Sequence, residues 1–230
     1  MSFNRDVKFP LILVNLKSYS ETVGQKAEEL ARIAEEVTND TGICIGLAPQ
    51  FTDIRQVSKY RIPVFSQHID PVQPGAHTGY VLPEAVAAAG ACGTIVNHSE
   101  RRLVLSDIEA VVERAKSTGL MSVVCANSTK VGMATASLNP EIVAVEPPEL
   151  IGTGIAVSKA KPQIVSNSVE AIRRINSQVV VLCGAGISTG DDVYAAIKLG
   201  SSGVLLASGV VKAPDWKKIL LDLAGAAAKV

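Results

Sequence analysis

An excess of charge of either sign is missing from this chain: 22 lysines and arginines are matched by 22 aspartates and glutamates. Without a basic field there is no long-range attraction to nucleic acid or to an anionic membrane surface, so any anion must be met by a local site. Long apolar runs are missing as well. The longest near the N-terminus, Phe9 to Leu16, is interrupted by Pro10 and Asn15 and falls far short of the ~20 residues that cross a bilayer. No small-residue cleavage site follows it, and the expectation is a cytoplasmic protein without a membrane anchor. Cysteine is scarce, and Cys44, Cys92, Cys125 and Cys183 stand too far apart for the paired spacing of a metal site. Cys44, Cys125 and Cys183 lie in apolar runs, which predicts buried, reduced thiols. Cys125 has no charge or imidazole near it in sequence, so a nucleophilic role is the weaker reading.

What the chain does have is apolar mass: 47% of its residues are hydrophobic and 19% charged, enough for a sizeable core and unlike a disordered segment. Short β-branched runs predict strands at about 10–17, 43–48, 63–69, 93–98, 121–127, 141–147, 179–184 and 203–208, with helical periodicity between them. Ala27, Leu30, Ala31, Ala34 and Val37 share one face of the first helix, and Gly42 ends it. Pro83 opens the third helix, Ser106 and Glu109 make a capping box for the fourth, and Thr189 with Asp191 starts the seventh. Leu11-Ile12-Leu13-Val14 and Val179-Val180-Val181-Leu182 are apolar on both faces, as parallel strands covered by helices are. Eight such units predict an α/β fold, a single (β/α)8 barrel over residues 1–230 with no linker to divide it. An open doubly wound sheet is the competing architecture.

In a barrel the chemistry gathers at the carboxyl ends of the strands, and three ends are polar. Strand one ends Asn15-Leu16-Lys17, where alternation sends the amide and the ammonium to one face. Strand four ends Asn97-His98-Ser99-Glu100-Arg101-Arg102, where a helical turn after His98 would present its positive end to the ring. Strand six ends at Glu146. An unpaired carboxylate is costly in a run of Val and Ala, and Pro147 holds Glu146 extended, so its side chain keeps the direction of Ile142 and Ala144 and points into the barrel mouth. The plain alternative is a strand-ending Glu that reaches solvent. Gly152-Thr153-Gly154, Gly184-Ala185-Gly186 and Ala207-Ser208-Gly209 allow backbone N–H groups to approach an anion. Thr189 stands where a dinucleotide motif needs its third glycine, so a nicotinamide site is not indicated.

With Asn15, Lys17, His98, Val145-Glu146-Pro147, Ile151-Gly152-Thr153-Gly154, Ala76-His77-Thr78-Gly79 and Leu205-Leu206-Ala207-Ser208 at matching places, the chain closely resembles the triosephosphate isomerase family in its short archaeal form. The resemblance implies interconversion of dihydroxyacetone phosphate and D-glyceraldehyde 3-phosphate through an enediolate, without metal or organic cofactor. It implies Glu146 as base, His98 as neutral electrophile, Lys17 and Asn15 as charge-stabilising groups, roles the family serves to illustrate in general accounts of pKa tuning. Phosphate would be held near Ile151, Gly152, Gly186, Ala207 and Ser208, helped by Lys17. The segment from Pro147 to Val157 resembles the family's lid, although Glu149-Leu150 and Cys183-Gly184-Ala185-Gly186 depart from the residues that commonly latch it. Thr78 resembles the loop that enters a neighbouring subunit, which implies a homodimer or homotetramer with His68 and His77 as interface or supporting residues. Another phosphosugar-binding barrel enzyme, or a silent barrel that only binds phosphometabolites, are the alternatives the residues leave open.

Overall fold

The computed structural model describes residues 7–147, 156, 158 and 162–230. Its strands are β1 Leu11–Asn15, β2 Cys44–Ala48, β3 Phe65–Ser66, β4 Gly93–Val96, β5 Met121–Ala126, β6 Ile142–Val145, β7 Val180–Cys183 and β8 Gly203–Leu206. They form one sheet in the order β2-β1-β8-β7-β6-β5-β4-β3, and the pairs are parallel. A parallel bridge between Leu47 and Val64 joins the two edge strands, with the Leu47 N–H donating to the Pro63 carbonyl at 3.0 Å. The fold is thus the expected (β/α)8, or TIM, barrel. The observed strands are shorter than expected, most of all β3, because the polar residues at their carboxyl ends, such as Lys17, Gln67, Asn97 and His98, leave the ladder for the rim of the barrel.

Alternation divides each strand between two cores. Leu11, Leu13, Phe65, Ile95, Val123, Cys125, Ile142, Ala144, Leu182 and Leu205 pack together inside the barrel. Their sequence neighbours, among them Ile12, Val14, Ile45, Val124 and Val204, pack outward into the helix layer. The Phe65 ring fills much of the interior near β4, and it does so because Gly93 has no side chain: a Cβ there would lie 2.6 Å from two ring carbons and from the Met121 carbonyl oxygen.

The helices are α1 Gln25–Thr41, α2 Ile54–Val57, α3 Pro83–Ala89, α4 Leu105–Ser117, α5 Thr129–Ala136, α6 Pro162–Ile175, α7 Gly190–Lys198, α8 Ser208–Val211 and α9 Trp216–Ala227. Helix α1 buries Ala27, Leu30, Ala31, Ala34 and Val37 and ends at Gly42 in the left-handed region, where glycine carries no Cβ penalty. Pro83 is the first residue of α3. Thr189 caps α7 in a reciprocal box whose third-position partner is Asp192. The box expected of Ser106 and Glu109 does not form: α4 begins at Leu105, two residues before the Asp107 start that such a cap requires, and Val104 precedes it without a side-chain cap. No described helix is long and apolar enough to cross a membrane.

Gly93→Ala should cost about 1–3 kcal/mol of stability, as overpacking in a filled core does. Adding Phe65→Leu should recover the part due to the ring and leave the part due to the Met121 carbonyl. Urea unfolding of the single and double variants checks this, and an unchanged midpoint for Gly93→Ala contradicts it.

Candidate active site

Glu146 comes directly after β6, and its N–H still donates to the Ala126 carbonyl at 2.8 Å, so the chain stays in strand register up to the acid. Ile142 and Ala144 belong to the interior cluster, and Glu146 continues that face into the barrel mouth, 7% exposed. Room for it comes from the adjacent strand, β7. A Cβ on Gly184 would lie 2.8 Å from the Glu146 Cγ and 2.9 Å from its Oε1. The other carboxylate oxygen, Oε2, is buried and makes no hydrogen bond among the described residues. Burial raises the Glu146 carboxyl above the usual range, and the raise is opposed by His98, by a hydrogen bond from the Cys125 thiol and by Lys17. The same neighbourhood pushes the Cys125 thiol well up, through burial first and the adjacent carboxylate second. Cys183 is pushed to about 12 by burial. Buried and protonated, neither thiol is a nucleophile.

His98 reaches the rim by a break in alternation. Ile95 faces the interior, so Asn97 would be the next inward residue of β4; instead Asn97 adopts φ 59°, a left-handed conformation that Asn tolerates better than most residues. Its side chain holds the turn, donating to the Cys125 carbonyl at 3.0 Å and accepting from the Leu103 N–H at 2.9 Å. The residue delivered to the mouth is His98, 9% exposed. Beyond it the chain makes a turn, closed by the Arg101 N–H on the His98 carbonyl at 2.8 Å, in place of the expected helical turn. Within that turn the Glu100 N–H donates to His98 Nδ1 at 3.2 Å. A nitrogen that accepts carries the lone pair, so the proton of the neutral ring belongs on Nε2. Nε2 stands 3.7 Å from Glu146 Oε2, beyond a normal hydrogen bond, and leaves both groups free to engage a third.

Asn15 and Lys17 end the first strand unit, Asn15 as the last residue of β1. Lys17 has φ 48°, and the Asn15 Oδ1 accepts its N–H at 2.9 Å. The ammonium is 2.8 Å from Glu100 Oε1. Behind it the Lys17 carbonyl accepts from Gln67 Nε2 at 2.9 Å and from Gln50 Nε2. These two amides and Glu100 were not among the expected site residues, and Gly184 was expected in an anion-binding turn, not against the carboxylate. Gln67 shares the inward face of Phe65 by simple alternation and could have been found that way. Gln50 lies in a loop and carries no such signal.

Asn15, Lys17, His98, Glu146, Gly186, Ala207 and Ser208 line one cavity of about 160 Å³. Seven of the nine expected site residues therefore meet around it; Ile151 and Gly152 lie outside the described residues, as does most of the expected lid. Thr78 is apart from this cavity, in an exposed stretch over residues 73–80. Among the described residues no three His, Cys, Asp or Glu side chains are grouped to hold a metal ion.

A closed parallel barrel with a buried carboxylate, an imidazole and an ammonium converging at the carboxyl ends of its strands is the arrangement of a (β/α)8 enzyme. Comparison with known proteins narrows this. The family model described as triosephosphate isomerase matches residues 10–223. The chain is 53% identical over 214 residues to the triosephosphate isomerase of Methanocaldococcus jannaschii, covering 93% of this chain and 98% of that protein. It is 54% identical over 215 residues to those of Methanobacterium bryantii and Methanosarcina acetivorans, covering 93% of this chain and 95% and 97% of theirs. The chain belongs to the triosephosphate isomerase family, and it is an isomerase.

The raised Glu146 pKa has a consequence for stability. A carboxyl whose pKa is higher folded than unfolded contributes stability that is fully present below the unfolded value and lost as pH rises through the folded one. At pH 7, above the unfolded value, the wild-type site is therefore destabilising relative to low pH. Glu146→Gln should unfold at a higher temperature than wild type at pH 7, and the gap should close as pH falls below the ordinary carboxylate range. Thermal unfolding across pH reads this; a variant less stable than wild type at pH 7 would contradict it.

Proposed function

We propose that this chain interconverts dihydroxyacetone phosphate and D-glyceraldehyde 3-phosphate, with Glu146 as the base and His98 as the electrophile. The observation that carries the reading is the pairing of the Glu146 carboxylate with the Nε2 edge of His98, 3.7 Å apart, in a cavity that the Lys17 ammonium also lines. Proton abstraction from the carbon beside a carbonyl builds negative charge on the carbonyl oxygen. A base must stand at the carbon while donors stand at the oxygen. Glu146 takes the first position. The Nε2–H of His98 and the Asn15 amide take the second, and Lys17 stabilises the enediolate and the phosphate by its charge.

Burial supports the role of Glu146. A carboxylate stripped of water and short of hydrogen bonds is a stronger base than one in solvent, because taking a proton relieves its desolvation. The return of that proton to the adjacent carbon completes the isomerisation, and His98 moves protons between the two oxygens. Gly186, Ala207 and Ser208 border the same cavity and would cradle the phosphate by backbone N–H groups, joined by Ile151 and Gly152. The relatives of similar length that carry the triosephosphate isomerase name support this substrate over other phosphosugars.

The same reading includes self-association. Residues 73–80, with Tyr80 56% exposed, project as a loop whose base is tied by the Asp70 N–H to the Val81 carbonyl at 2.9 Å and by the Val81 N–H to Asp70 Oδ2 at 2.6 Å. A second copy of the chain would cover this loop, Thr78 included, in a homodimer or homotetramer.

Two measurements test these statements. Glu146→Gln should lower kcat for dihydroxyacetone phosphate by at least roughly 10²- to 10⁴-fold, the range general acid–base groups supply, in an assay coupled to a dehydrogenase, with phosphoglycolate binding retained. Unchanged turnover removes Glu146 as the base. Thr78→Arg should shift the sedimenting species toward monomer at equal concentration, and an unaltered distribution would place the interface elsewhere.

A further inference from the structure

The Lys17 main chain is held more firmly than the rim around it requires. Its φ of 48° is disfavoured for a residue with a Cβ. Among the described residues no backbone N–H reaches its carbonyl. Two glutamine side chains take that place instead. Gln67 Nε2 divides its two hydrogens between the Lys17 carbonyl at 2.9 Å and the Ala48 carbonyl at 3.0 Å. Gln50 Nε2 divides its pair between the Lys17 carbonyl and the Ser18 Oγ, the latter at 2.9 Å. On the other side of the same residue, the Asn15 Oδ1 accepts the Lys17 N–H.

The direction of a Cα–Cβ bond is set by φ and ψ, so whatever fixes the Lys17 main chain also aims its side chain. Asn15 fixes the N–H, and the amides fix the carbonyl from two separate elements, the loop after β2 and the end of β3. We propose that Gln50 is a positioning residue for this site: with Gln67 it holds Lys17 in the left-handed conformation that points its ammonium at the bound anion. This rests on the reading of Lys17 given above. Gln50 also borders the outer cleft that Lys17 and Glu100 line, so its removal opens the support without emptying the core.

Gln50→Met keeps the length of the side chain and deletes both donors. Calorimetric titration with phosphoglycolate should show affinity weakened roughly three- to tenfold, the equivalent of one net hydrogen bond. KM for dihydroxyacetone phosphate should rise by a similar factor, with kcat changed less and the urea midpoint nearly unmoved. In a Lys17→Met background the same substitution should have no further effect, because the ammonium it aims is gone. A merely structural role would lower affinity equally in both backgrounds, and that result, or unchanged affinity in the single variant, overturns the proposal. Gln50→Ala gives the same comparison should the methionine chain fold poorly. If the wild-type chain neither isomerises the triose nor binds phosphoglycolate, the functional reading fails by itself. The role of Gln50 is then decided by a crystal structure of Gln50→Met: Lys17 outside the left-handed region sustains it, and Lys17 unmoved refutes it.

Discussion

An ionisable carboxyl at the end of an apolar strand, with one oxygen lacking a hydrogen-bond partner among the described residues, is the constraint around which the rest of the site is arranged. Water would solvate that oxygen, but Glu146 is nearly enclosed, and the described residues supply little in exchange. Its neighbours are an imidazole beyond hydrogen-bonding distance, a protonated thiol and an ammonium already paired with Glu100. An uncompensated buried charge is expensive. The fold tolerates it because burial of a large apolar core offsets the local loss.

The barrel supports that arrangement by where it omits atoms as much as by where it places them. Gly93 admits the Phe65 ring and Gly184 admits the carboxylate. Gly93 opens β4 and Gly184 comes directly after β7, and neither glycine has a φ in the left-handed range, so conformational freedom does not account for them. Close approach does. At these two places a large side chain is set against a missing one, and the acid at the top belongs to the second pair.

Legibility in the sequence tracked the range of the interaction. Strand number and order, the inward direction of Glu146 and the ends of the helices at Gly42, Pro83 and Thr189 depend on neighbours within a few residues, and periodicity or a local cap reveals them. Ser106 and Glu109 have the spacing of a cap, but α4 starts two residues earlier than that cap requires and takes Ser106 inside it. The direction of His98 was not legible from alternation, since alternation predicts Asn97 in its place. Gln50, Gln67, Glu100, Gly184 and the Cys125 thiol act on residues of other strand units, which only the folded sheet brings near. Alternation could have marked Gln67, but no pattern along the chain pairs the others with the residues they touch. For Cys125 the absence of a charge nearby in sequence pointed away from the carboxylate that the sheet sets beside it.

The left-handed residue at Asn97 shows what a single dihedral can do at the top of a parallel strand. A two-residue repeat fixes every second side chain as a candidate for the lumen, which limits how many different groups one strand can offer a guest. One residue wound the other way shifts that count by a step. Such a barrel can select its lumen-facing chemistry from either set of positions on a strand, and new functional groups become accessible without any strand changing its register.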